Sequence, residues 1–132
     1  MSEVSSGGKV LIVEDNDFVR MQIVRYLKDA SFDTIEASDG SSALAEIDKG
    51  IDLAIVDVRM EPIDGFEFIK SLRGRNITTP VILVTGDQNP DLLSEATKWS
   101  VSAVLMKPVQ KDRLIKMATR AIQQAKMGSD GD

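Results

Sequence analysis

KVLIVEDNDFVRMQIVRYL, residues 9–27, reads as two elements joined by a polar turn. Lys9–Val13 is a short, mostly apolar run, suited to a strand buried on both faces. Glu14 and Asp15 close it, and Val19, Ile23 and Leu27 then recur at i, i+4 and i+8, the spacing of one helix face. The same pairing of run and stripe returns four times downstream. Asp33–Ala37 precedes Ala43 and Ile47, which follow the start Asp39-Gly40-Ser41. Asp52–Val56 precedes Phe66, Ile69 and Leu72, a stripe ending at Gly74. Pro80–Val84 precedes Leu92, Ala96 and Trp99, with Asn89 as N-cap and Pro90 as first helical residue. Ala103–Met106 precedes Leu114, Met117, Ala118, Ala121 and Ile122. Five strand-then-helix units predict an α/β fold, a doubly wound parallel sheet with helices on both faces.

Composition narrows the chemistry. The 132 residues fit one domain, expected over 9–126, with polar and disordered tails at 1–8 and 127–132. Cysteine and histidine are both absent. Disulfides, thiolate metal sites, His-containing triads and imidazole bases are therefore excluded. The formal net charge of −5 argues against direct nucleic-acid binding. No apolar run approaches the ~20 residues of a spanning helix, so membrane insertion is not expected and a cytoplasmic protein is.

Polar residues follow the strand runs at their C-terminal ends: Glu14 and Asp15, Asp57, Thr85 and Lys107. In a parallel sheet these ends share one edge, where open α/β sheets place their ligands. Three converging carboxylates repel one another, and a hard divalent cation relieves the repulsion. With oxygen donors alone, Mg²⁺ is the natural choice. A carboxylate can also act as nucleophile and form an aspartyl phosphate. Lys107 and Thr85 could then hold the phosphoryl oxygens.

The segments VLIVEDN (10–16), SDGSSAL (38–44), DLAIVDVRM (52–60) with IDG (63–65), PVILVTG (80–86) and LMKP (105–108) resemble, in this order and spacing, the response regulator receiver domain of two-component signalling. The resemblance covers about residues 9–126. It implies a flavodoxin-like sheet in the order 2-1-3-4-5 with five helices, and Asp57 as phospho-acceptor. Glu14 and Asp15 match the family's acidic pair, with Asp15 a direct Mg²⁺ ligand and Glu14 acting largely through water. The main-chain carbonyl of Arg59 is implied as a further ligand. Thr85 and Lys107 match the switch hydroxyl and the phosphate-contacting lysine, and the Lys107–Pro108 bond is implied to be cis.

Three positions depart from the family's pattern. Val104 stands where an aromatic residue is frequent, the proline after the phospho-acceptor is displaced to Glu61-Pro62, and the usual Gly-Ala before the fifth strand reads Ser100-Val101. The expected function is that of a stand-alone signalling switch rather than a metabolic enzyme. It takes a phosphoryl group from a histidine kinase or histidine phosphotransfer protein, passes the signal to a downstream protein, and dephosphorylates itself. A monomer or weak homodimer is expected. A pseudo-receiver that only binds partners is the alternative, but it would be expected to lose an acid or the lysine. A haloacid-dehalogenase-type phosphatase would need Asp-x-Asp, and position 59 is Arg. Arg59 and Asp87 are placed to pair across the mouth of the site or to stand as independent solvated charges, and the sequence leaves both open. Trp99 is expected to pack in the core, and the basic residues of the last helix to be solvated.

Overall fold

Five parallel strands form a single sheet in the order β2-β1-β3-β4-β5, as expected. The computed structural model describes residues 7–60, 64–86 and 90–130, with side chains through Met127. The elements in chain order are β1 (Lys9–Val13), α1 (Asp17–Asp29), β2 (Asp33–Ala37), α2 (Gly40–Glu46), β3 (Leu53–Asp57), α3 (Gly65–Gly74), β4 (Val81–Thr85), α4 (Pro90–Lys98), β5 (Ala103–Met106) and α5 (Lys111–Asp130). No described helix is long and apolar enough to cross a membrane.

Alternate residues of the central strands feed two cores. Val10, Ile12, Leu53, Ile55, Ile82 and Val84 meet α1 and α5 through Ile23, Leu27, Leu114 and Ala118. Leu11, Val13, Ala54, Val56, Val81 and Leu83 meet the other layer through Ala43, Phe68, Ile69, Leu72 and Ala96. Every residue of β3 and β4 is buried, which is why those runs are apolar without alternation. The edge strand β2 departs from that expectation. Asp33 and Glu36 are exposed and only Ala37 is fully buried, because one edge has no neighbouring strand.

The element ends moved in informative ways. β3 and β4 begin and end one residue later than the apolar runs suggest, so Asp57 and Thr85 are the last strand residues. Their main chains are in register with Val84 and Met106 respectively. A polar side chain hides a strand end from a reading of apolar runs, whereas backbone pairing does not depend on it. Ile47 caps α2 instead of lying within it, and Trp99 falls just beyond α4. Trp99 still packs against the α2–α4 core, with the ammonium groups of Lys70 and Lys98 at 5.7 and 5.6 Å from its ring centroid.

α5 runs to Asp130, past residue 126, where the domain was expected to stop. Gln123, Gln124, Ala125, Lys126 and Met127 all propagate a helix well, and each added residue closes one more hydrogen bond. At the other end Gly7 and Gly8 are not tail. The Gly8 carbonyl accepts from the Asp33 N–H at 2.9 Å, and Gly7 donates to the Ser31 carbonyl. Residues 1–6 and 131–132, the expected N-cap Asn89, Asp87 and the displaced Glu61-Pro62 lie outside the described residues.

The helix-to-strand turns share a device. Ser31, Gly50, Asn76 and Ser100, one before each of β2 to β5, have φ of 69°, 75°, 61° and 59°. This left-handed conformation ends a helix and suits glycine. Ser100 is therefore the departure noted in the sequence: a residue with a Cβ where the family usually has glycine.

Candidate functional site

The backbone ladder continues past the strand ends and carries the polar residues with it. The Glu14 N–H donates to the Ala37 carbonyl at 3.1 Å, and the Lys107 N–H donates to the Thr85 carbonyl at 2.8 Å. Glu14, Asp57 and Thr85 are the buried polar side chains of the described residues, at 1%, 4% and 2% exposure. Lys107 is partly exposed and Asp15 is exposed. The Lys107–Pro108 peptide is cis. Arg59 lies two residues beyond β3 with its side chain exposed.

The ammonium of Lys107 stands between two acids, 3.3 Å from Glu14 Oε1 and 3.2 Å from Asp57 Oδ1. Glu14 Oε2 accepts from the Asn16 N–H at 3.1 Å. Glu14 Oε1 closes no hydrogen bond, although the Lys107 ammonium stands 3.3 Å from it. Burial pushes the Glu14 carboxyl up from 4.5 to about 7. The Asn16 N–H opposes this, the Asp57 charge adds to it, and Lys107 opposes it. Burial pulls the Lys107 ammonium down, but the charges of Glu14 and Asp57 outweigh it and the net shift is upward.

One carboxylate oxygen each from Glu14, Asp15 and Asp57 lie within 4.8 Å of one another. A single ammonium offsets at most one of these charges. The donors are all oxygen, and one buried oxygen lacks a hydrogen bond. This set fits a hard divalent cation of the Mg²⁺ type, which takes a few carboxylates and keeps waters.

The approach to Asp57 depends on Gly65. A Cβ there would lie 2.5 Å from the Asp57 carbonyl oxygen and 3.0 Å from Val58 Cα. The Gly65 N–H donates to the Val58 carbonyl at 2.9 Å. The preceding Asp64 caps α3 in a reciprocal box with Glu67. The start of α3 is thereby fastened against the end of β3, directly behind Asp57. The Asp64-Gly65 pair stands out in the sequence, but its close approach to Asp57 appears only in the fold.

Two apolar residues of α1 belong to none of the stripes read from the sequence. Phe18, at 84% exposure, and Met21 stand on the outer face of α1, off the buried stripe of Ile23 and Leu27. Their mismatch with that stripe was the available signal. Val104 is partly buried against the α2–α4 core, beside Leu83 in register.

The profile of the response regulator receiver domain matches residues 10–119. Among curated proteins, a cyclic di-GMP phosphodiesterase of Thermotoga maritima is 31% identical over 114 residues, which is 86% of this chain and 31% of that protein. The regulatory protein AtoC of Escherichia coli is 32% identical over 122 residues, 90% of this chain and 26% of that protein. The chain thus spans less than a third of these relatives. Among solved structures, the Vibrio cholerae chemotaxis protein CheY4 superposes with a TM-score of 0.82 at 32% identity, covering 88% of this chain and 99% of that one. The receiver domain of Francisella response regulator 1452 gives 0.83 at 30% identity, covering 89% and 98%.

Proposed function

This chain belongs to the response regulator receiver domain family, a family of signalling domains, and we propose that Asp57 is the residue on which it accepts the phosphoryl group. The observation that carries this reading is the cluster at the sheet's C-terminal edge. Three carboxylates meet there, and one ammonium stands within 3.3 Å of two of them.

An oxygen of Asp57 attacks the phosphorus of a partner's phosphohistidine, the phosphorus–nitrogen bond breaks, and the imidazole nitrogen keeps the electron pair. The donor histidine lies outside these 132 residues, which contain none. Lys107 is close enough to Asp57 to follow the negative charge as it moves onto the phosphoryl oxygens. Thr85, buried at the end of the adjacent strand, offers its hydroxyl to the same group. Glu14, Asp15, Asp57 and the Arg59 carbonyl would hold Mg²⁺. A bound Mg²⁺ supplies the positive charge that lets the acids and a phosphoryl group share one pocket. Hydrolysis of the acyl phosphate by water returns the switch to its starting state and is the only enzymatic activity in this reading.

A histidine kinase or histidine phosphotransfer protein is the proposed donor, in keeping with relatives that include sensor kinases. Phe18 and Met21 form an apolar patch at the start of α1, the helix that follows the acidic pair, and suit contact with such a donor. The signal passes to a downstream protein. Residence in the cytoplasm goes with this reading. The full set of acids, hydroxyl and lysine leaves the pseudo-receiver alternative without support.

The test is intact mass after incubation with acetyl phosphate and Mg²⁺. The wild-type chain should gain one phosphoryl group and Asp57→Asn none. A phosphorylated Asp57→Asn would reassign the acceptor.

A further inference from the structure

The run Glu14-Asp15-Asn16-Asp17 contains three acids, yet only Glu14 and Asp15 join the cluster with Asp57. Asp17 is engaged by Arg20 instead. The Arg20 guanidinium donates from three nitrogens to three acceptors: Nη1 to the Glu14 main-chain carbonyl at 2.8 Å, Nη2 to Asp17 Oδ1 at 2.6 Å, and Nε to Glu36 Oε1 at 3.1 Å. Its side chain is 15% exposed. The Glu14 carbonyl belongs to the peptide unit that joins Glu14 to Asp15. A peptide unit is planar, so fixing its oxygen fixes the plane from which the Asp15 side chain departs. Asp15 is itself exposed, and its aim is inherited from that plane.

We propose that Arg20 is a positioning residue for the cation site: it sets the Glu14–Asp15 peptide plane and holds the Asp17 carboxylate out of the pocket. The inference rests on the reading of Glu14, Asp15 and Asp57 as the cation ligands. The planar fork of arginine suits three acceptors on α1, β2 and the turn after β1, whereas the single ammonium of lysine cannot reach all three in one plane. Residues that orient metal ligands from behind typically change metal affinity by about 10–100-fold when removed.

Two roles for Arg20 predict opposite signs. A positive charge near the pocket repels a divalent cation, so an effect through charge alone would make Arg20→Ala bind Mg²⁺ more tightly. Positioning predicts weaker binding. The experiment is titration of the full chain with MgCl₂, followed by amide shifts of residues 14–17 and 57, for wild type, Arg20→Ala and Arg20→Lys. In both variants the Mg²⁺ Kd is expected to rise about tenfold. In the acetyl phosphate reaction the Mg²⁺ half-saturation should rise in parallel, while the rate at saturating Mg²⁺ stays within about twofold of wild type. A loss of folding alone would not split the two quantities. An Arg20→Ala Kd unchanged or tightened would overturn the proposal, as would an Arg20→Lys Kd equal to wild type or a rate defect that excess Mg²⁺ leaves in place. A wild-type chain with no Mg²⁺ titration would overturn the ligand reading itself, and this inference with it.

Discussion

The two edges of the sheet treat their polar groups differently. At the N-terminal edge, buried or half-buried polar groups have partners. The Lys9 N–H donates to Asp52 Oδ2 at 2.8 Å, the Asp52 N–H donates to the Lys9 carbonyl at 2.8 Å, and Lys9 Nζ donates to the Lys49 carbonyl. Arg73 donates to the carbonyls of Trp99, Ile77, Thr79 and Ser100, and so ties the turn after α3 to the turn after α4. At the C-terminal edge, two buried acids face a third and share one ammonium, and one acid oxygen is left without a hydrogen bond. Such an arrangement is unfavourable, because burial and like charge both disfavour the ionised acids. The contrast teaches that unfavourable electrostatics in this chain gather where chemistry is proposed, while backbone strain at the other edge serves only to turn helices into strands.

The largest effect should come from the reactive edge. Asp57→Asn is expected to abolish phosphorylation while raising stability by about 1 kcal/mol, since one of the converging charges is gone. Urea denaturation in EDTA measures this, and a destabilised variant would break the comparison.

Arg73→Ala probes the opposite edge. Four carbonyls lose their donor at once, though water can reach some of them, so the expected loss is about 2 kcal/mol. The acetyl phosphate rate should stay within about twofold of wild type. A large rate defect in a well-folded Arg73→Ala protein would show that the two edges are coupled.

The pH dependence of stability separates them further. Glu14 titrates near 7 in the folded chain and ordinarily at 4.5. Between these values the folded state holds a proton that the unfolded state has released, so stability falls as pH rises. The contribution is fully present below 4.5 and is lost as pH rises through 7. Over that window it is on the order of 3 kcal/mol. Comparison of wild type with Glu14→Gln in EDTA isolates it: the wild-type curve should fall relative to the variant from pH 5 to 7.5. Parallel curves would mean that Glu14 is charged throughout.

The smallest effect has the opposite sign and lies at the strained edge. Ser100 has φ of 59° in the turn before β5. Ser100→Gly should relieve the left-handed strain and raise stability by about 0.5 kcal/mol, after the entropy that glycine costs. A shift of the urea midpoint upward at constant m-value would show it.

Much of this protein could be read along the chain. The strand runs and helix stripes repeat locally, so the five units, the parallel sheet and its shared C-terminal edge follow from periodicity. The acids, the hydroxyl and the lysine could be picked out because each comes directly after an apolar run or within one residue of its end. The strands end one residue beyond the apolar runs, at Asp57 and Thr85, and α5 runs several residues past 126, because apolar runs report side chains and hydrogen-bond ladders report main chain. Asp17 and Arg20 read as an ordinary pair three apart on a helix, and nothing local links either to Glu36 or to the Glu14 carbonyl. Arg73 likewise reads as a solvated end of a helix, although its acceptors at Trp99 and Ser100 come from a turn two elements away. The chain by itself therefore determined which residues meet at the edge of the sheet, since strand order and direction carry them there. Only the folded structure decided which acids face inward, which are held back by a guanidinium, and which oxygen is left without a hydrogen bond. Those outcomes depend on distances between groups far apart in sequence, and burial, which the chain acquires only on folding, sets their energies.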